Sequence, residues 1–172
     1  MKLHLACDRK RLPGFTHVDV RPEVQPDVVS DISEMPMFKD NSAEIIYLCH
    51  GLEHFGVKEV PIVLREWHRI LEPGGQLFLA VPDFGAMASD YVFGMLPLKL
   101  IRAAIMGGQE YSENVHYSVW DQTTLYEALY EAGFTDARLY DAWAFTPERY
   151  FDYSKYVIAE TRISLNVRAT CL

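Results

Sequence analysis

Short apolar runs separated by polar, proline-containing turns dominate the first half of the chain, and this pattern predicts buried β-strands. The run AEIIYLC is mostly apolar and β-branched at its centre, as expected for a strand covered on both faces. Four strands are predicted here, over residues 3–7, 17–20, 28–30 and 43–49.

A helix is predicted next, because apolar residues recur at a spacing of three and four. These positions are Val60, Val63, Leu64, Trp67, Ile70 and Leu71. Pro61 falls in the first turn, where its missing amide would lack a partner anyway. The turn Glu72-Pro73-Gly74-Gly75 should end the helix, and residues 76–81 should form another buried strand. Strand, helix and strand in this order predict that 43–49 and 76–81 are parallel neighbours.

The second half predicts two further helices and an antiparallel strand. An apolar helix around 96–106 stops at Gly107-Gly108, and a helix over 123–132 stops at Gly133. A strand is expected at 137–140. Residues 163–170 alternate apolar with polar, which is typical of a half-buried antiparallel strand.

These elements indicate one α/β domain over residues 1–172, with a mostly parallel sheet and an antiparallel pair at its C-terminal end. The link over residues 8–16 is short for a parallel crossover. Either a tight loop replaces the usual first helix, or one of the two strand predictions is wrong.

The charge and composition of the chain limit the kinds of molecule that it can bind. The chain has 16 basic and 24 acidic residues, a formal charge of −8, which opposes broad contact with nucleic acid or an anionic membrane. No apolar run is long enough to cross a bilayer, and the start MKLHLACD is too short and polar for a secretory signal. Three cysteines argue against a disulfide framework. We expect a cytoplasmic protein with a small-molecule substrate; the oligomeric state is left open.

Several segments together resemble a known family. They are LHLACDRKRLPGFTHVDV, DVVSDISEMP, DNSAEIIYLCHGLEHF, VLREWHRILEPGGQLFLAVPD and LYEALYEAGF. In this order they resemble the type-11 family of class I S-adenosylmethionine-dependent methyltransferases, in its compact branch with a Leu-Pro-Gly loop in place of the first helix.

The resemblance implies a Rossmann-like methyltransferase fold with helices on both faces. Its seven-stranded, mostly parallel sheet would end in an antiparallel hairpin, and S-adenosylmethionine would lie across the carboxyl ends of the strands. Open α/β sheets bind ligands at that edge in general. Residues 84–122 would then cover the acceptor site.

Polar residues stand at the predicted strand ends. The resemblance implies that Asp19 accepts hydrogen bonds from the ribose hydroxyls, although a strand-end turn is the alternative. It places Asp31 and Ile32 at the adenine; alternatively, Asp31 caps the segment that follows it.

The first loop departs from the family pattern. Leu5-Ala6-Cys7-Asp8 stands where Leu-Gly-Cys-Gly is expected, so the backbone from Ala6 to Asp8 would lie against the methionine end of the cofactor. The Asp8 carboxylate would repel the cofactor carboxylate by several kcal/mol at about 4 Å, which opposes binding. Asp8 could point away, Arg9-Lys10-Arg11 could neutralise it, or the ligand could be a different one.

The segment His50-Gly51-Leu52-Glu53-His54 has the H-x-x-E-H pattern of certain zinc peptidases. That chemistry needs both histidines on one continuous helix, whereas His50 directly follows a strand and Gly51 interrupts the segment, so no metal site is predicted. The resemblance instead implies that His50, Glu53 and His54 line the reaction pocket. His50 or His54 could act as the base, or both could cap a helix starting near Val57.

The predicted function is methyl transfer from S-adenosylmethionine to a small or sugar-like acceptor. The alternative is a non-catalytic relative that binds the cofactor weakly or not at all. Weaker site candidates are His116, Tyr111, Tyr117 and Trp120, which either form an acceptor wall or belong to the core, and a pocket edge at Asp152-Tyr153-Ser154.

Overall fold

The structure is a computed structural model that describes residues 1–172. Its centre is a seven-stranded sheet in the order β3-β2-β1-β4-β5-β9-β6, in which only β9 runs antiparallel to its neighbours. The strands are β1 Lys2–Leu5, β2 Thr16–Asp19, β3 Val28–Val29, β4 Ala43–Cys49, β5 Leu71–Pro82, β6 Phe134–Leu139 and β9 Ser164–Cys171. A separate hairpin pairs β7 Val157–Ile158 with β8 Thr161–Arg162. The predicted fold class is confirmed.

Five α-helices accompany the sheet: α1 Val60–Ile70, α2 Phe84–Val92, α3 Leu98–Met106, α4 Gln122–Glu131 and α5 Ala142–Phe145. Alternate residues of a strand point to opposite faces, and β4 shows what each face meets. Ile46 and Leu48 belong to the main core beneath α1 and α4, whereas Tyr47 packs on the other face with Phe78 and Phe145 of α5. Helices therefore lie on both faces, but the second face is covered mainly by one helical turn and loops. None of the helices is long and apolar enough to span a membrane.

The link between β1 and β2 contains no helix, so both strand predictions stand and a tight loop makes the crossover. The two strands pair in parallel, with Leu3 opposite Thr16. Most other elements shift from their predicted bounds by one to three residues.

The predicted turn at Glu72–Gly75 lies inside a strand in the structure. Helix α1 ends at Ile70, and Leu71 already pairs with Ala43, so the chain enters β5 before Gly74 and not after it. The segment Glu72–Gly75 forms an irregularity within β5, because Ala43 pairs with Leu71 and Ile45 with Gln76. Gly74 has a φ of +85°, which explains the glycine at this bulge.

The antiparallel end of the sheet is also built differently from a simple hairpin. β6 and β9 pair directly, with Phe134 opposite Cys171. The chain between them is long, however, and includes α5 and the β7–β8 hairpin. Within this connecting segment, residues 150–158 lie at the carboxyl edge of the sheet, where several of them line a cavity.

Candidate functional site

A cavity of about 690 Å³ opens at the carboxyl ends of β1, β2, β3 and β4. Its wall includes eight of the nine residues that the sequence assigns to the cofactor or to catalysis: Ala6, Cys7, Asp8, Asp19, Asp31, Ile32, His50 and His54. Glu53 is buried behind this wall, with 1 % of its surface exposed. The parallel topology thus gathers residues that are widely spaced in the sequence.

The first loop keeps a left-handed backbone without glycine. Ala6 and Asp8 both have a φ of 46°, a conformation that costs a non-glycine residue roughly 1–2 kcal/mol. Asp8 is held there by its amide, which donates a hydrogen bond of 2.8 Å to Oδ2 of Asp19. The loop therefore has the conformation that glycine favours, with an added carboxylate.

Arg21 neutralises this carboxylate. Its Nη2 lies 2.9 Å from Oδ1 of Asp8, and its Nε lies 3.3 Å from Oδ1 of Asp19. The guanidinium also stands 4.9 Å from the centre of the Tyr111 ring, a cation–π arrangement. Sequence reasoning missed Arg21, although a basic residue two positions after a strand-end acid can point to the same side.

Arg11, in the basic triplet Arg9-Lys10-Arg11, binds backbone carbonyls and does not neutralise Asp8. Arg11 donates to the backbone carbonyls of Asp8, Lys10, Val24 and Gln25 and so ties the first loop to the segment after β2. Arg11 forms no ion pair with a carboxylate, and the cation paired with Asp8 is Arg21. The suggestion that Arg11 neutralises Asp8 is therefore wrong.

Asp19 and Asp31 differ in accessibility. Asp19 is only 3 % exposed, and its oxygens already accept from the amides of Asp8 and Arg21 and from the Arg21 side chain. Asp31 is exposed and accepts from the amide of Ser33 at 2.8 Å, which closes a turn and caps no helix. Ile32 is 6 % exposed and belongs to the main core as well as to the cavity wall.

A second group of side chains surrounds Glu53. Its Oε1 lies 3.5 Å from Nδ1 of His50 and 3.9 Å from Nε2 of His116. The rings of His54 and His116 meet edge to face with centroids 4.9 Å apart. Glu53 and His54 lie on a 3-10 turn over Leu52–His54 and not on a continuous helix.

Burial dominates the protonation of this group. It raises the pKa of Glu53 to about 8 and lowers the pKa of His50 to about 3 and of His116 to about 4. Burial also lowers the pKa of His54. The histidines are therefore neutral at pH 7, and each ring has one nitrogen with a free lone pair.

The helix-capping interpretation of the two histidines is wrong. Helix α1 begins at Val60, and neither His50 nor His54 bonds to its first turn. His50 instead contacts Oγ of Ser164 at 2.6 Å, and Nδ1 of His54 lies 3.0 Å from the carbonyl of Val115.

The segment 84–122 contributes part of the cavity wall through Tyr111, His116 and Tyr117. Trp120 does not line the cavity and belongs to the main core. His116 follows His54 by 62 positions, and no sequence signal indicates that the two rings meet.

Two further candidates are structural in character. Asp152 lines the cavity but is 6 % exposed, and it accepts from the hydroxyl of Tyr47 at 2.5 Å and from the amide of Ser154 at 3.0 Å. Cys7 and Cys49 are free thiols, and burial raises the pKa of Cys7 to about 11, so it stays protonated at neutral pH.

Comparison with known proteins finds one matching family model and several solved structures of the same fold. Residues 6–79 match the type-11 family model described as a methyltransferase domain. No curated protein sequence matches the chain.

Solved structures with the same fold cover nearly the whole chain. A SAM-dependent methyltransferase from Archaeoglobus fulgidus is 14 % identical with a TM-score of 0.62, over 98 % of this chain and 85 % of that one. One from Methanosarcina mazei is 15 % identical with a TM-score of 0.62, over 99 % and 92 %. A third, from Thermotoga maritima and described as a possible histamine N-methyltransferase, is 15 % identical with a TM-score of 0.59, over 99 % and 82 %. At these identities the likeness is one of fold.

Proposed function

We propose that this chain, of which residues 6–79 match the type-11 methyltransferase domain, is a class I S-adenosylmethionine-dependent methyltransferase that methylates a small-molecule or sugar-like acceptor. The observation that carries the proposal is the convergence of Asp8, Asp19, Asp31 and His50, from four adjacent strand ends, on one cavity. This edge is where open α/β sheets bind their ligands.

In this proposal the cofactor extends across the strand ends. Asp19 would bind the ribose hydroxyls, Asp31 and Ile32 would hold the adenine, and the backbone of Ala6 to Asp8 would hold the methionine end. The ion pair of Asp8 with Arg21 supports this placement, since it cancels the negative charge that would repel the methionine carboxylate.

Methyl transfer in this site is an in-line displacement. S-adenosylmethionine, when bound, would supply a methyl group on a sulfonium sulfur, which would keep the electron pair of the broken bond while the acceptor takes the methyl group. His50 or His54 takes the proton that the acceptor loses. Alignment of the two reactants supplies most of the acceleration. Residues 84–122 cover the acceptor through Tyr111 and Tyr117.

A second candidate is a non-catalytic relative with weak cofactor affinity. It is favoured by the state of Asp19, which is 3 % exposed and already bound by Arg21 and by the amide of Asp8. Ribose hydroxyls would have to share this carboxylate with the donors that already bind it.

Calorimetric titration with S-adenosylmethionine and S-adenosylhomocysteine separates the two functions. It is done on the native chain, on Asp8→Gly and on Asp136→Gly. Asp136 is a matched control because it also has a left-handed backbone, with a φ of 52°, and an ion pair, 2.6 Å to Arg138, but lies on β6 and does not line the cavity.

The enzyme proposal expects native binding in the micromolar range and no change in the Asp136→Gly control. Binding only after Asp8→Gly would support the non-catalytic relative. Absence of binding in all three proteins would overturn the cofactor site. For a protein that binds, turnover is measured as S-adenosylhomocysteine formed with a panel of sugar and small hydroxyl acceptors.

A further inference from the structure

The buried carboxylate of Glu53 has no hydrogen-bond donor. Both of its oxygens are buried and unpartnered, and three imidazole rings surround it. Ligand atoms of Glu53, His54 and His116 all lie within 4.8 Å of one another. A buried carboxylate without a donor is costly, so this group needs a proton or a cation.

The hydrogen bonds of two histidines fix which ring nitrogen faces the carboxylate. Nδ1 of His54 lies 3.0 Å from the carbonyl of Val115, and Nδ1 of His116 lies 3.0 Å from the carbonyl of Ala104. A carbonyl oxygen can only accept, so each Nδ1 carries the hydrogen. In the neutral rings Nε2 then has a free lone pair, and Nε2 of His116 is the atom 3.9 Å from Glu53.

The hydrogen bonds of Ser164 fix which ring nitrogen of His50 carries the hydrogen. The hydroxyl of Ser164 donates its single proton to the carbonyl of Tyr153 at 2.6 Å. The 2.6 Å contact between this hydroxyl and Nε2 of His50 therefore has the ring as its donor. Nδ1 of His50 is left with a lone pair, 3.5 Å from Oε1 of Glu53.

The arrangement is thus a carboxylate facing imidazole lone pairs, with a backbone carbonyl behind two of the rings. Histidines that bind metals typically donate their other ring hydrogen to a carbonyl or carboxylate, which fixes the tautomer and the direction of the lone pair. Bonds to zinc of about 2.0–2.2 Å place ligand atoms roughly 3–4 Å apart, and the 3.9 Å between Glu53 and His116 already fits.

We propose that Glu53, His54 and His116 bind a divalent transition-metal ion such as Zn²⁺, which leaves His50, beside them, as the base for methyl transfer. The mixed nitrogen and oxygen ligand set suits borderline ions of this kind better than Mg²⁺ or Ca²⁺. The site differs from the zinc-peptidase arrangement, because its third ligand comes from the distant segment after α3 and not from a helix. It goes beyond methyl transfer, and His54 and His116 place it at the cavity wall.

Cobalt titration tests the site, because Co²⁺ substitutes for Zn²⁺ and shows visible absorption bands when bound by protein ligands. The protein is stripped with a chelator and titrated with Co²⁺ in the absence of any cofactor, and then with Zn²⁺ in competition. We expect one equivalent of Co²⁺ to bind and Zn²⁺ to displace it. Protein purified without added metal is assayed by elemental mass spectrometry for the same stoichiometry.

Variants identify the ligands. Glu53→Gln and His116→Gln should each weaken Co²⁺ binding at least tenfold, whereas His68→Gln, a histidine of α1 outside the cavity wall, should leave it unchanged. Circular dichroism confirms that the variants fold. Failure of the native protein to bind Co²⁺, or equal weakening by all three substitutions, would overturn the metal site and leave a protonated Glu53 carboxyl as the occupant. Cofactor titration of the same samples is a separate measurement, so failure of the metal site and failure of methyl transfer are distinguished.

Discussion

Arg21 joins Asp8 to Asp19, with its Nη2 2.9 Å from Oδ1 of Asp8. Ala6 and Asp8 stand where the resembled family has glycine, only Asp8 adds a charge, and Arg21 supplies the compensating charge from the end of the neighbouring strand. Asp8 keeps 54 % of its side chain exposed, whereas Arg21 keeps 18 %. Solvent therefore reaches the pair mainly through Asp8. The positive charge of Arg21 offsets the negative charge of Asp8 where the carboxylate of the proposed cofactor would approach.

Removing Arg21 should weaken cofactor binding. In Arg21→Ala two carboxylates, those of Asp8 and Asp19, remain without their cation, so we expect the affinity for S-adenosylhomocysteine to fall about tenfold, equivalent to about 1.4 kcal/mol. Adding Asp8→Gly to this variant removes one of the two charges and should recover part of the loss. Calorimetry on the single and double variants measures the coupling; additive effects would contradict a direct link between the two residues.

His4 should make the protein less stable in acid. It is 2 % exposed, and burial, followed by the electrostatic effect of the nearby His17 and Arg11 side chains, lowers its pKa from 6.5 to about 3. Between these values the unfolded chain binds the additional proton, so the free energy of unfolding falls as the pH drops below 6.5. The loss from this group at pH 5 is about 2 kcal/mol.

Urea denaturation of the native chain and of His4→Phe between pH 7 and pH 4.5 isolates this effect. Carboxylates titrate in both proteins, so only the difference in slope belongs to His4. Parallel pH dependence of the two proteins would show that His4 is not buried in its neutral form.

Gly51 should resist substitution because of close packing. A Cβ at this position would lie 2.7 Å from Cδ1 of Leu48 and 3.2 Å from Cβ of Ala6. Leu48 is fully buried in the main core and has little room to move. We expect Gly51→Ala to reduce the free energy of unfolding by about 1–3 kcal/mol through overpacking.

The control for this change is Gly56→Ala, whose Cβ would meet only the flexible end of Glu59 at 3.1 Å. Its cost should stay below about 1 kcal/mol. Both values come from urea denaturation, and equal costs would mean that the contact with Leu48 is not what requires glycine at position 51.

Tyr47 should stabilise the chain through its hydroxyl. The group donates to Asp152 at 2.5 Å, and Asp152 is 6 % exposed. Tyr47→Phe leaves one carboxylate oxygen without this donor and should cost about 1–3 kcal/mol. Tyr130→Phe, at a half-exposed position of α4, removes a hydroxyl without a buried acceptor and should be close to neutral. Thermal denaturation of the two variants compares them directly; similar melting temperatures would argue against the network.

The sequence predicted the sheet well because its strands are marked by local patterns. The run 43–49 was predicted with its observed bounds, and the alternation over 163–170 identified β9 as antiparallel. It failed at Glu72–Gly75, where a proline and two glycines read as a turn but pairing with β4 extends the strand through them. Pairing between distant strands is a tertiary interaction, and local propensity does not contain it.

For the first loop, too, the sequence determined some features and the tertiary structure decided others. Its sequence by itself determined that glycine was missing at two positions and that Asp8 brought a negative charge into a strand-end loop. Only the tertiary structure decided that Ala6 and Asp8 keep the left-handed backbone and that Arg21 is the partner of Asp8. The partner comes from the next strand, and the register between β1 and β2 sets its distance.

The histidine cluster divides in the same way. The sequence by itself determined that His50, Glu53 and His54 follow a buried strand and that no continuous helix holds them, which the 3-10 turn confirms. Only the tertiary structure brought His116 to Glu53, across more than 60 positions of chain. The physical reason is that secondary structure depends on neighbours within a few residues, whereas a site is completed by the packing of segments whose separation in sequence carries no signal of their contact.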